Sequence, residues 1–158
     1  MSDYREFYLT YRERIFSYLM RMTGDLELSS DLMQESFTRY FEKYGRVPRN
    51  AALLFTIARN ALIDHARKAR HETYFRTISQ RNPVDQERNV AVRAEYRRML
   101  EGLGNLAPDD RDVLALVATG ELTYREIAGI AGMSESNVKV KVHRARLKLR
   151  KILEEQEP

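Results

Sequence analysis

The sequence predicts an all-α protein: a small three-helix bundle and a four-helix domain built on a helix-turn-helix, joined by a flexible linker. Three observations predict it. Apolar residues recur at steps of three and four through most of the chain, the period of helices that bury one face. Only 7 Gly and 4 Pro occur in 158 residues, which favours long helices over a turn-rich β fold. The periodicity lapses once, over residues 72–89, where Asn82-Pro83 and the polar run Asp85 to Asn89 read as a linker.

The elements follow in order. Tyr8, Tyr11, Ile15, Tyr18, Leu19 and Met22 form one stripe on a helix over 3–22, which Gly24 ends. Ser29 and Ser30 lie near the start of the next helix, whose apolar positions are Met33, Phe37, Phe41 and Tyr44, and Gly45 stops it. Pro48 keeps residues 45–50 in a loop. A third helix, 51–71, turns Leu54, Ile57, Ala58, Ala61 and Leu62 inward. Beyond the linker, four helices are expected near 91–103, 108–119, 123–131 and 134–154. Pro108 suits a first helical position, Thr123 and Glu126 have capping-box spacing, and Ser134 is a good N-cap. The expected domains are therefore 1–72 and 91–158, with 73–90 between them.

Composition narrows the function. The chain has no Cys, so a disulfide scaffold, a thiolate zinc site and a Cys nucleophile are excluded. His65, His71 and His143 have no metal-site spacing, and no Gly-rich phosphate loop occurs, so no cofactor, no metal and no enzymatic activity are expected. No apolar run nears the ~20 residues of a membrane span, and no signal-peptide core opens the chain. A cytoplasmic protein without membrane insertion is expected. The net charge of +4 is unevenly spread: −2 over 1–44, +6 over 45–82, −3 over 83–133 and +3 over 134–158. Two basic blocks suit two contacts with a polyanion; two solvated helix faces would look the same.

Residues 123–149 carry the sharper signal. A helix-turn-helix needs a small residue at the crossing, a permissive turn and an aliphatic anchor. Ala128, Gly132 and Val138 supply them in that order. Val142, Ala145, Leu149 and Ile152 extend the anchor stripe. The opposite face carries Ser136, Asn137, Lys139, Lys141, Arg144 and Lys148, residue types that meet base edges and phosphates in duplex DNA. A helical hairpin with a basic solvent face is the competing reading.

The first basic block offers a second mode. Arg46, Arg49 and Asn50 sit in a loop near Tyr40, Phe41, Tyr44 and Phe55. Cations among aromatic rings can hold unpaired bases. Phe37, Phe41 and Phe55 fall on inward stripes and read as core. Asp31, Gln34, Glu35 and Thr38 share a polar, acidic face on the second helix. That face repels DNA, so it meets a protein or only solvent.

These segments resemble a known family. SSDLMQESFTRYFEKY resembles region 2.2 of sigma-70-type factors, LFTIARNALIDHARKARHE resembles regions 2.3 and 2.4, and LAPDDRDVLALVATGELTYREIAGIAGMSESNVKVKVHRARLKLR resembles region 4. The resemblance covers almost the whole chain in the right order. Without further domains between them, the segments point to the extracytoplasmic-function (ECF) group. The resemblance implies that Asp31, Gln34, Glu35 and Thr38 bind the β′ clamp of core RNA polymerase. It implies that Arg46, Arg49 and Asn50 capture an unpaired promoter base, and that Asn60, Asp64, Arg67 and Arg70 lie along the −10 element. Ser136, Asn137, Lys139, Lys141, Arg144 and Lys148 would read the −35 element as duplex, with the same domain docking on the β flap. An anti-sigma partner is implied as well. The chain departs from the family at Leu53, where Trp is frequent, which removes an aromatic wedge from the strand-opening region. A plain duplex-binding regulator with an N-terminal dimerisation module, and an adaptor that binds polymerase without DNA, are the alternatives from other classes.

Overall fold

A computed structural model of the protein describes residues 2–45, 49–69 and 90–155. The expected linker over 73–89, together with Arg46, Pro48 and Arg70, lies outside the described residues. Among the described residues the fold is all-α: α1 (Ser2–Thr23), α2 (Leu26–Tyr44), α3 (Ala51–Ala69), α4 (Val90–Gly104), α5 (Pro108–Val117), α6 (Tyr124–Ala131) and α7 (Glu135–Glu155).

Local chemistry explains the boundaries. α2 begins earlier than Ser29 suggests: Asp25 is the N-cap, its carboxylate accepting from the Leu28 N–H at 3.1 Å. Ser29 is instead buried, its hydroxyl 2.9 Å from that of Thr23 at the α1–α2 corner. Gly45 does follow the last turn of α2, but with an ordinary φ of −60°. Space demands glycine there: a Cβ would come within 2.6 Å of the Phe41 carbonyl oxygen. In the second half, Pro108 opens α5, and the Thr123–Glu126 capping box forms in both directions, at 3.0 and 2.9 Å.

The apolar stripes meet as the periodicity requires. Ile15, Tyr18, Leu19 and Met22 of α1 pack on Leu32, Phe37 and Tyr40 of α2 and on Leu54, Phe55, Ala58 and Leu62 of α3. Ile57, expected inward, is only half-buried, as is Phe41, while Phe37 and Phe55 lie in the core as their stripes predict. The second half closes on Val113, Leu116, Ile127, Val138 and Val142.

The two halves also pack on each other: α1 lies against α4 and α5, and α3 against α6. Met20 of α1 sits among Leu100, Leu103, Leu106 and Leu114. The seam has a polar centre. The Tyr18 hydroxyl donates to Asp112 Oδ1 at 3.0 Å, and Arg59 Nε donates to Asp112 Oδ2 at 2.7 Å. Burial, reinforced by the Asp112 charge, pushes the Tyr18 hydroxyl well above its usual value, so it stays a donor. Burial opposes the Arg59 charge, yet the Asp112 carboxylate prevails and raises it.

Candidate nucleic-acid and polymerase interfaces

The helix-turn-helix is built as its residue pattern requires. Gly132 takes φ 72°, ψ 38°, a conformation that costs a residue with a side chain about 1–2 kcal/mol. Its N–H and that of Met133 both donate to the Ala128 carbonyl, at 2.9 and 3.0 Å, closing α6. The Ser134 hydroxyl accepts from the Asn137 N–H at 3.1 Å and starts α7. Val138, Val142 and Ala145 are buried against α5 and α6, while Leu149 and Ile152 are half-buried beside α4. The other face of α7 therefore points outward, and Ser136, Asn137, Lys139, Arg144 and Lys148 are exposed on it.

Lys141 differs from that row. It is half-buried, and its Nζ lies 3.9 Å from Asp110 Oδ1, while the Lys148 Nζ donates to Asp110 Oδ2 at 3.1 Å. Asp110 is thus more than a first-turn charge on α5: it draws two cations of α7 toward one buried carboxylate. The spacing within residues 134–154 carries no trace of this partner, which is 31 and 38 residues away.

The first half uses its polar residues differently. Asn50, expected to meet a base, caps α3: its side-chain oxygen accepts from the Leu53 N–H at 3.0 Å, and its own N–H donates to the Tyr40 hydroxyl at 3.0 Å. Arg49 donates to the Gly45 carbonyl at 3.1 Å, with its guanidinium 5.3 Å from the Phe41 ring centre and 5.9 Å from that of Phe7. It belongs to an aromatic cluster in which Tyr4 stacks on Phe41. Arg49 and Asn50 thus each have partners within the protein.

On α3, Asn60 and Arg67 are exposed and Asp64 is half-buried. Asp64 accepts from Arg39 Nη1 at 3.4 Å and lies 3.6 Å from Arg67 Nη1. Arg39 also grips Glu35 on its own helix. This residue escaped the sequence reading, although its i, i+4 spacing from Glu35 was visible. Through it the acidic face of α2 and the polar face of α3 form one continuous surface. Asp31, Gln34, Glu35 and Thr38 are all exposed along α2. The Gln34 amide donates to the Tyr8 hydroxyl at 3.3 Å, and Thr38 donates to the Gln34 carbonyl at 3.0 Å. Among the described residues no cluster of three metal-ligating side chains occurs, and no helix is long and apolar enough to cross a membrane.

Comparison with known proteins places this geometry. The family model "Sigma-70 region 2" matches residues 7–72, and "Sigma-70, region 4" matches residues 96–149. The ECF RNA polymerase sigma factor SigM of Bacillus subtilis is 34% identical over 155 residues, covering 92% of this chain and 91% of that protein. The chain is an ECF member of the sigma-70 family. Another ECF sigma factor, SigL of Mycobacterium tuberculosis, is 32% identical, with 89% of this chain and 83% of its own length covered. Among solved structures, the sigma factor RpoE of Bartonella quintana, determined in complex with the anti-sigma factor NepR, superposes with a TM-score of 0.78. It covers 99% of this ECF factor and all of that chain at 21% identity. The shared fold thus spans both halves of the sigma factor; α2 and α3 fall inside the first matched region and α5 and α6 inside the second, with most of α1 and α7.

Proposed function

We propose that this ECF factor directs core RNA polymerase to promoters by gripping DNA twice, once as duplex and once as an opened strand. The observation that carries this reading is the division of α7. Its aliphatic stripe is buried, and Ser136, Asn137, Lys139, Arg144 and Lys148 face solvent on a helix set by a glycine turn. That is the disposition of a helix that enters the major groove, N-terminal residues toward base edges and flanking cations toward phosphates.

The mechanism is positional and involves no chemistry by this chain. The 91–158 domain fixes the factor on the −35 duplex through α7, with Lys141 beside Asn137. The 1–72 domain holds the opened −10 strand through Asn60, Asp64, Arg67 and Arg70, and an unpaired base through Arg46, Arg49 and Asn50, the last of these at the start of α3. These contacts offset the few kcal/mol needed to unstack a base. The exposed face of Asp31, Gln34, Glu35 and Thr38 docks on the β′ clamp, and the 91–158 domain docks on the β flap. Residues 73–90 join the two grips. The factor acts in the cytoplasm, needs no cofactor, and is restrained by an anti-sigma partner, a reading supported by the RpoE neighbour, which was determined in complex with the anti-sigma factor NepR.

Run-off transcription with purified core polymerase on a genomic library tests this. Initiation at a discrete set of promoters is expected, with weak DNA binding by the factor without polymerase. Absence of initiation combined with tight binding to a palindromic duplex would establish the plain regulator instead.

A further inference from the structure

Asp110 puts a negative charge on the side of the helix-turn-helix domain that carries its cations. A cleft of about 410 Å³ opens between the start of α5 and the outer face of α7, lined by Pro108, Asp109, Asp110, Lys141, Arg144 and Lys148. The Asp110 side chain is only 8% exposed. It accepts from the Lys148 Nζ at 3.1 Å and lies 3.9 Å from that of Lys141. The Lys141 side chain is 23% exposed and that of Lys148 55%. Asp110 also lies in the first turn of α5, where the positive end of the helix dipole favours its charge.

The two helices do not depend on this carboxylate to meet. Val113, Leu114 and Leu116 of α5 and Val138, Val142 and Ala145 of α7 are already buried. What Asp110 changes is the behaviour of the cations. A lysine on a free four-carbon stem meets whichever phosphate is near. With its ammonium drawn toward a fixed carboxylate, Lys141 loses most of that reach, and it stays on the face of Asn137, one helical turn earlier. A carboxylate this buried is screened less by salt than an exposed one. One carboxylate against two ammonium groups leaves a net charge of +1, so the two lysines act on a polyanion as about one cation.

We propose that Asp110 is a positioning residue for promoter discrimination: it holds Lys141 beside Asn137, where the ammonium meets one base pair of the −35 element, and it offsets one of two lysine charges that would otherwise bind any duplex. This role rests on the duplex grip of α7 proposed above. Phosphate attraction is blind to sequence, whereas a contact to a base edge is not. Removing the carboxylate therefore strengthens binding to irrelevant DNA and blurs the promoter at one position.

The test uses the full chain with core polymerase, on a promoter found by the run-off screen and on every single-base-pair variant of its −35 element. Asp110→Asn keeps the side-chain shape, and its amide oxygen can still accept from Lys148, so helicity and thermal melting should be preserved. Discrimination is expected to fall about three- to tenfold at one base pair and to hold at the others. Lys141→Ala should lose discrimination at the same base pair, and Asp110→Asn should add nothing there once Lys141 is gone. On a random-sequence duplex without polymerase, Asp110→Asn should bind about three- to tenfold more tightly at about 0.1 M salt, with a salt dependence steeper by about one counterion. Asp110→Glu, which keeps the charge, should restore the shallower dependence. An even loss across all −35 positions with a lowered melting temperature makes Asp110 a structural tie and overturns the positioning role. An unchanged salt dependence in Asp110→Asn overturns the charge offset. If Lys141→Ala alters discrimination at no base pair, the positioning role falls whatever Asp110→Asn does. A wild-type chain that supports no initiation on any template defeats the two-grip reading. The salt dependence on plain duplex then still decides the charge offset, and selection of preferred duplexes by the chain alone decides the role through Lys141.

Discussion

The α7 face and the α2–α3 face both carry polar residues suited to DNA or polymerase, yet they hold them in opposite ways. On α7 the cations stand in solvent, apart from the two that Asp110 draws in. On α2 and α3 most candidates have a second occupation: Asn50 caps a helix, Arg49 packs on rings, and Asp64 is tied to Arg39 and Arg67. A surface of solvated cations can follow a duplex by electrostatics, with little structural cost when one is removed. A surface of interlocked side chains fixes shape, as the capture of single unpaired bases demands, and losing one member disturbs its neighbours.

Substitutions can break this contrast. The largest effect is expected from Phe55→Ala, which empties a fully buried site under α3 and should cost about 3–5 kcal/mol in denaturant unfolding. Asn50→Ala removes the α3 cap and should cost about 1 kcal/mol, with loss of strand-opening activity. If stability is untouched, Asn50 is a pure contact residue and the contrast fails at that position. Arg39→Ala cuts partly exposed pairs and should cost under about 1 kcal/mol while weakening polymerase binding. Lys139→Ala and Arg144→Ala should leave stability within about 0.5 kcal/mol. Each should reduce the salt dependence of promoter binding by about one counterion. A clear loss of stability in either would place α7 in the interlocked class.

The seam adds a pH prediction. The Tyr18 hydroxyl is raised in the folded chain by burial and by Asp112, so its stabilising contribution is fully present below the ordinary tyrosine value near 10. It is lost as pH climbs from there through the raised value. Thermal melting followed above pH ~9.5 should show a steeper decline in the wild type than in Tyr18→Phe.

Much of the fold could be read in advance because its determinants are local. The Thr123–Glu126 box, the Ala128–Gly132–Val138 spacing and Pro108 each act within a few residues, and each lies where the pattern placed it. Ser29 and Ser30 do lie near the start of α2, but Asp25 and Ser29 are both residue types fit to cap, and burial against Thr23 leaves the cap to Asp25. The candidate sites were legible as residue types on helix faces, since a face follows from period. Their internal partners were not.

The order of helices, the turn that sets α7 and the uneven charge are written in neighbours three and four apart, so they survive in the linear text. Asp110 with Lys148, Arg39 with Asp64, and Asp112 with Tyr18 and Arg59 join residues 25 to 94 positions apart. No local spacing specifies which helix faces meet, and a charged side chain looks alike whether it will be solvated or paired. Packing of the three- and four-helix halves settles that, because burial makes an unpaired charge costly and so selects the partner.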